Sequence, residues 1–146
     1  MQRDPSLIPL SHQHHNGLAL CVMTRRALAA DSSDSNVSQQ ARRIIDRFEI
    51  ELVNHFEMEE QLLFPAAQDR PLIEQLVSEH RQLEKLVAML REQPAAALIE
   101  EFCALLSSHI RMEEKQLFEA VQRELPRQEL DRIGAEIDTR AVRVCL

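Results

Sequence analysis

The sequence has few of the residues that interrupt helices and few aromatic side chains. Its 146 residues include two Gly and five Phe, and neither Trp nor Tyr occurs. Leu, Ala, Glu, Gln and Arg are abundant instead, and this composition predicts helix rather than strand. The length suits one domain with a single core. The absence of Tyr and Trp also removes the side chains that most often relay radicals.

Long apolar stretches are missing as well. No run of apolar residues approaches the length of a membrane span, and the first fifteen residues lack the apolar core of a signal peptide. We therefore expect a cytoplasmic protein that does not bind membranes. The net charge of −7 argues against a nucleic-acid partner.

The three cysteines, Cys21, Cys103 and Cys145, are too scattered for a CxxC metal or redox motif. An odd number of cysteines in a cytoplasmic chain indicates reduced thiols. We expect Cys21 and Cys103 to be buried and to serve packing.

Polar and proline-containing segments divide the chain into helical stretches. The polar stretch Asp31–Asn36 resembles a turn, and prolines punctuate the rest. The prolines at the boundaries of the predicted helices are Pro65, Pro71, Pro94 and Pro126. The predicted helical segments are about 11–30, 37–64, 71–91 and 94–123, with a shorter one at about 127–142.

Each long segment carries apolar residues at steps of three and four, which is the spacing of a helix that buries one face. Short connections make neighbouring helices antiparallel. The sequence therefore predicts an all-α fold, an up-down-up-down four-helix bundle with a short C-terminal helix across one end. We expect residues 1–146 to form a single domain, with the four-helix core at about 7–123 and the tail helix at about 127–142.

Each apolar stripe contains one histidine at a core-facing position. These residues are His14, His55, His80 and His109. Any one of them could be a buried neutral histidine with a hydrogen-bond partner. Four histidines on four stripes favour a common site instead.

Carboxylates follow three of these histidines by about one helical turn. HFEMEEQLLFPA at 55–66 is repeated as HIRMEEKQLFEA at 109–120, and both stretches place Glu four residues after His. Glu84 has the same spacing from His80. Glu59 and Glu113 continue the stripes, and a buried carboxylate is costly unless it is paired or bound to metal. Three other glutamates fall off this face and are predicted to be exposed to solvent: Glu57, Glu60 and Glu114.

Four imidazoles and several carboxylates exceed the needs of one tetrahedral zinc ion. They fit two ions of higher coordination, and the histidine content favours two non-haem iron ions over manganese or zinc. Four histidines, bridging Glu59 and Glu113, one oxygen from Glu84 and a solvent-derived bridge would fill eleven of twelve octahedral positions and leave one open. Two ferrous ions, three glutamates and one hydroxide also sum to zero charge, which favours burial.

The motifs resemble those of the haemerythrin family, in its HHE cation-binding branch. The motifs that carry the resemblance are LSHQHHNGL at 10–18, HFEMEEQLLFP at 55–65, EHRQLE at 79–84 and HIRMEEKQLF at 109–118. The resemblance implies a four-helix bundle whose di-iron centre binds dioxygen or a related small oxidant, with two bridging carboxylates. The residues that match family ligand positions are His14, His55, Glu59, His80, His109 and Glu113.

The sequence departs from the oxygen-carrying members at two places. Glu84 stands where those proteins have a second histidine, and Glu113 replaces an aspartate one residue further along. The exchange of histidine for carboxylate at Glu84 makes reversible oxygen carriage less expected, whereas the glutamate at 113 is the arrangement of the HHE branch. His15 is an alternative to His14, but its stripe is less apolar, so we prefer His14. His12 is predicted to be exposed.

Three functions remain open from the sequence. The first is a binding protein that takes O2 or another small diatomic for sensing, storage or delivery. The second is an enzyme that reduces peroxide or nitric oxide, or oxidises ferrous iron. The third is a structural bundle. An electron donor or a signalling partner would have to act in trans. A ferritin-like site is disfavoured because Glu-x-x-His does not occur.

Overall fold

The computed structural model describes residues 1–144, so Cys145 lies outside the described residues. This range contains five helices and no strand, and the predicted all-α fold is confirmed. Three helices are regular: α1 at Ile8–Ala30 after a 3-10 turn at Pro5–Leu7, α3 at Arg70–Glu92 and α5 at Arg127–Arg140. Two are composite: α2 joins Asp34–Arg47, Phe48–Leu52, Val53–Met58, Glu59–Leu63 and Phe64–Ala66, and α4 joins Ala96–Met112, Glu113–Leu117 and Phe118–Glu124.

The helix boundaries follow from local capping chemistry. Ser33 caps α2 by accepting from the Asn36 backbone N–H, and Asp69 caps α3 by accepting from Leu72 N–H. The Asn36 side chain donates to the Ala27 carbonyl in the last turn of α1. The connections between the four long helices are short and comprise residues 31–33, 67–69 and 93–95. Helix α1 packs against α2 and α4, and α3 packs against the same two helices.

The core consists of two apolar clusters separated along the bundle. One cluster contains residues such as Ile44 and Phe102, together with Cys21 and Cys103, which are 1% and 0% exposed. The predicted burial of these two thiols is thus confirmed. The second cluster contains Leu63 and others at the opposite end of the bundle. None of the helices within residues 1–144 combines the length and apolar character needed to cross a bilayer.

Helix α5 closes the end of the bundle that holds the second cluster. Its apolar residues Leu130, Ile133 and Ile137 join that cluster. Gly134 lets α5 approach the N-terminal turn, because a Cβ at this position would come within 2.8 Å of the Ser6 Cα. The Arg127 guanidinium forms an ion pair with Asp4 at 2.6 Å on the same side.

Wide π-type turns interrupt α2 and α4. They lie at Phe48–Leu52, Glu59–Leu63 and Glu113–Leu117. Two of them begin at the glutamates that the sequence predicts to face inward. Such turns locally change the direction in which side chains point, and they often occur at functional sites.

Candidate metal centre

A polar layer lies between the two apolar clusters. It contains one histidine from each of the first four helices and the two inward glutamates of α2 and α4. Its members are His14, His55, Glu59, His80, His109 and Glu113, each 3% exposed or less. On α3, for example, His80 lies between Leu76 of one cluster and Leu83 of the other. A layer of polar and ionisable side chains thus separates the two apolar clusters of the core.

These six residues form two groups that share both carboxylates. The first group, here called position A, consists of His14 and His55 with Glu59 and Glu113. The second, position B, consists of His80 and His109 with the same two glutamates. In each group, one ligand atom from every residue lies within 4.8 Å of the others. Shared carboxylates between two pairs of imidazoles are the arrangement expected for two bridged metal ions.

The Nε2 atoms of the histidines point toward the shared carboxylates. His55 and His80 each place Nε2 3.2 Å from Oε1 of Glu59. The Nε2 atoms of His14 and His109 lie 2.9 and 3.2 Å from Oε1 of Glu113. Four imidazole nitrogens and two carboxylates therefore face one space.

Most of these donor atoms have no hydrogen-bond partner among the described residues 1–144. The orphaned atoms are Nε2 of His55, His80 and His109, both side-chain oxygens of Glu59, and Oε2 of Glu113. A buried polar group without a partner costs about 1–3 kcal/mol. A cluster of such groups in one place needs an explanation, and their residue types are those of metal ligands.

The other ring nitrogen of each histidine has a definite partner. The Nδ1–H groups donate to Glu114 (His14, 2.6 Å), Gln13 (His55, 2.8 Å), Glu60 (His80, 2.8 Å) and Glu79 (His109, 2.7 Å). We call these four residues the outer partners. A proton on Nδ1 leaves the Nε2 lone pair available, which is how proteins prepare histidine to bind a metal ion.

The outer partners correct part of the sequence interpretation. Glu60 and Glu114 were predicted to be exposed to solvent, but their side chains are only 28% and 29% exposed, and each orients a histidine. Glu57 is exposed as predicted. Gln13 and Glu79 were not predicted from the sequence. The sequence feature that could have identified them is their position, because each directly precedes a histidine of the layer.

Glu84 does not reach the layer. Its side chain is 38% exposed and accepts from Arg81 at 2.9 Å. The prediction that Glu84 is a metal ligand relied on its spacing from His80 and on charge balance, but α3 directs it to the surface.

The first-helix histidine of the layer is His14, which is 3% exposed. His15, the alternative, is exposed, and so is His12. Burial of the neighbouring Gln13 rather than His15 shows which face of α1 turns inward.

Phenylalanine rings hold two of the imidazoles in place. Phe56 stacks on His80, with ring centroids 3.9 Å apart and an interplanar angle of 14°. Phe118 stacks on His14 at 5.2 Å and 12°. Phe64 lies on another side of His80 at 5.4 Å. These contacts fix the ring planes that the outer partners orient.

The buried carboxylates and histidines of the layer have pKa values that are shifted in different directions. Burial, reinforced by the charge of Glu113, raises the pKa of Glu59 well above its usual value. Burial alone would raise the pKa of Glu113 too, but His109 and hydrogen bonds to Glu113 outweigh it and lower that pKa well below normal. Burial lowers the pKa of His80 to about 2. Burial opposes the charged form of His109 as well, yet Glu113 and Glu79 raise its pKa to about 10. Metal binding to this layer would therefore displace protons.

An all-α bundle in which four helices each supply a buried imidazole and two of them a buried carboxylate defines a class of metal-binding helical proteins. The family model described as Hemerythrin HHE cation binding domain matches residues 7–121, and a second, overlapping match covers 71–139. The chain therefore belongs to the haemerythrin family, and the resemblance drawn from the sequence is confirmed. No curated protein and no solved structure matches the chain significantly.

Proposed function

We propose that this chain is a non-haem di-iron protein that holds one ion in position A and one in position B. The observation that carries the proposal is the set of orphaned, buried donor atoms of the polar layer. In this proposal Glu59 and Glu113 would be shared by both ions, and two imidazoles would hold each ion. We also propose that residues 1–146 form one haemerythrin-like domain, since α5 packs into the same core as α1 and α4.

The donor set favours iron or manganese over zinc. Two imidazoles and two carboxylates per ion fill four positions, and an octahedral ion has further positions for solvent and a small ligand. An iron pair at this site supplies the electrons that a small oxidant accepts. The outer partners orient the ligand histidines through Nδ1. The apolar clusters on both sides of the layer exclude bulk water.

We propose O2 or a related small oxidant as the ligand, for sensing, storage or delivery. A surface cavity of about 200 Å3 adjoins the centre, and its lining includes Phe56 and Glu60, which both contact His80. Sites for larger organic molecules typically occupy about 300–1,000 Å3. The cavity is smaller than such sites, which favours a small ligand over an organic molecule.

A second candidate function is an enzyme that reduces peroxide or nitric oxide, with ferrous-iron oxidation as a related activity. The observation that favours it is the carboxylate of Glu60, which lines the cavity and also accepts from Nδ1 of His80. Reduction of a peroxide to two waters consumes two electrons and two protons. Glu60 lies between solvent and the centre, and an external donor would supply the electrons.

The first experiment measures metal content and the visible spectrum of the purified protein. We expect close to two irons per chain and charge-transfer bands that appear with oxygen. Bands that disappear when oxygen is removed support the binding function. Irreversible conversion with turnover of peroxide or nitric oxide supports the enzyme. A folded protein that takes up no iron contradicts both.

Ligand variants test the assignment of the site. We expect His55→Ala and His109→Ala to abolish stable iron loading, because each removes one of the two imidazoles of a position and weakens the shared cluster. His12→Ala, an exposed histidine on α1, is the matched control and should load like the unmodified protein. Metal content is read by elemental analysis, with circular dichroism to show that helices remain. Equal iron in all three variants would refute the assignment.

A further inference from the structure

Positions A and B are built from the two halves of the chain in the same way. His14 on α1 corresponds to His80 on α3, and His55 on α2 corresponds to His109 on α4. Each of the latter two is followed, four residues later, by one of the shared glutamates.

The outer partners follow the same scheme. The residue after each shared glutamate orients a histidine of the other half: Glu60 accepts from His80, and Glu114 accepts from His14. The residue before the first histidine of each half orients the second histidine of that half. Gln13 accepts from His55, and Glu79 accepts from His109. The scheme therefore pairs every outer partner with a counterpart, and only this last pair differs in charge.

The orientation of the Gln13 amide follows from its other contacts. Its Nε2 donates to Oδ1 of Asn54 at 3.0 Å and to the Val142 carbonyl at 3.2 Å. Both of these atoms are acceptors, so the amide oxygen is the atom that faces His55. Asn54 is itself held by the Val142 backbone N–H and the Arg140 carbonyl. Gln13 is 1% exposed, so His55 has a buried, neutral partner.

Neighbouring basic residues do not cancel this difference. Arg3 pairs with Glu114 near position A. Near position B, Arg81 pairs with Glu60 and is shared with Glu84. Among residues 1–144, no Arg or Lys forms an ion pair with Glu79. The outer partners of A with their arginine therefore sum to zero charge, and those of B sum to −1.

The remaining buried acid near position A is also compensated. Glu51, one turn before His55, is 2% exposed and accepts from Asn16 at 2.8 Å. Arg47 lies 3.6 Å from its other oxygen. This pair adds no net charge, so position B keeps its additional negative charge relative to position A.

We propose that Gln13 makes the two metal positions unequal, so that the ion in position A is held more weakly than the ion in position B. This inference rests on the proposed two-ion site. A carboxylate partner raises the basicity of a ligating imidazole, and loss of such a partner typically costs about 10–100-fold in metal affinity. Gln13 acts through His55 and is thus a positioning residue for position A.

The test is an anaerobic calorimetric titration of metal-free full-length protein with Mn2+, and separately with Fe2+. The unmodified protein should bind two ions in two steps that differ by about 10–100-fold in Kd. Gln13→Glu should tighten the weaker step and merge the two. Glu79→Gln should weaken the stronger step by a similar factor and merge them at low affinity.

The double variant Gln13→Glu/Glu79→Gln exchanges the two partners and should restore two steps in the opposite order. With one equivalent of Mn2+, paramagnetic broadening of imidazole NMR signals should affect His80 and His109 in the unmodified protein. In the double variant it should affect His14 and His55. A merely structural role for Gln13 would not reverse the order of filling.

The outcomes separate this inference from the proposed function. Two ions bound with equal Kd in the unmodified protein, or two unequal steps unchanged by either single variant, would overturn the role of Gln13 and leave the two-ion site intact. Failure of the unmodified protein to bind metal would overturn the site itself. Should Gln13→Glu prove unstable in thermal unfolding, Glu79→Gln decides, since its carboxamide keeps the size of the side chain.

Discussion

At the scale of single residues, an Nε2 atom directed at a shared carboxylate distinguishes the histidines of the layer from ordinary buried histidines. The helical period predicted that the four histidines, Glu59 and Glu113 face inward, because one face of a helix is buried as a unit. The same spacing also selected Glu84, which lies at the surface. The outer partners Glu60 and Glu114 could not be assigned this way. They lie at the edge of the buried face, and the neighbouring helix decides whether such a residue meets a ring or water.

Glu84 and Glu59 offer a direct comparison at this scale. Glu84→Gln should leave metal content unchanged and alter the free energy of unfolding by no more than about 0.5 kcal/mol, as expected for a surface substitution. Glu59→Gln removes a carboxylate shared by both positions and should reduce metal content to less than half.

Metal analysis after gel filtration measures the metal content, and chemical denaturation measures the free energy of unfolding. Loss of metal in Glu84→Gln, or full metal in Glu59→Gln, would contradict the placement of these side chains.

At the scale of the helices, most boundaries could be predicted from prolines and polar segments in the sequence. The helices around Asp31–Asn36, Pro71 and Pro126 begin or end within a few residues of the predicted positions. The π-type turns of α2 and α4 could not be predicted, since no local residue preference specifies them. Two of the three begin at Glu59 and Glu113, where side chains from four helices meet.

The contact between α5 and the N-terminal turn depends on the missing side chain of Gly134. Gly134→Ala should destabilise the protein by about 1–2 kcal/mol, because overpacking against the Ser6 backbone outweighs the better helix propensity of alanine. Thermal unfolding measures this change. Thr139→Ala, at an exposed position of the same helix, is the control and should change stability by no more than about 0.5 kcal/mol. Equal or higher stability of Gly134→Ala would show that the turn adapts without cost.

At the scale of the whole molecule, the bundle contains two apolar clusters with a polar layer between them. The all-α architecture and its fifth helix were predictable, because periodicity and chain length leave few alternatives. The single-domain boundary at 1–146 stays a prediction. The layer interrupts apolar packing across all four helices, so the stability of the protein should depend on what binds there.

Metal removal tests this dependence. Addition of metal to the metal-free protein should raise the free energy of unfolding by about 4 kcal/mol for each site at a thousandfold excess over Kd. The gain should decrease as pH falls, because protons compete for the same imidazoles and carboxylates. Differential scanning calorimetry with and without a chelator, at two pH values, measures both effects. An unfolding temperature independent of metal would exclude the layer as the binding site.

The matched halves of the polar layer have a consequence for chain connectivity. The α1–α2 hairpin and the α3–α4 hairpin each supply two imidazoles and one shared carboxylate, and residues 67–69 are the covalent link between them. The centre is therefore a product of hairpin pairing, and the order of the hairpins along the chain is secondary. A circular permutant or a chain cleaved within 67–69 should assemble the same donor atoms, at the entropic cost of bringing the two hairpins together.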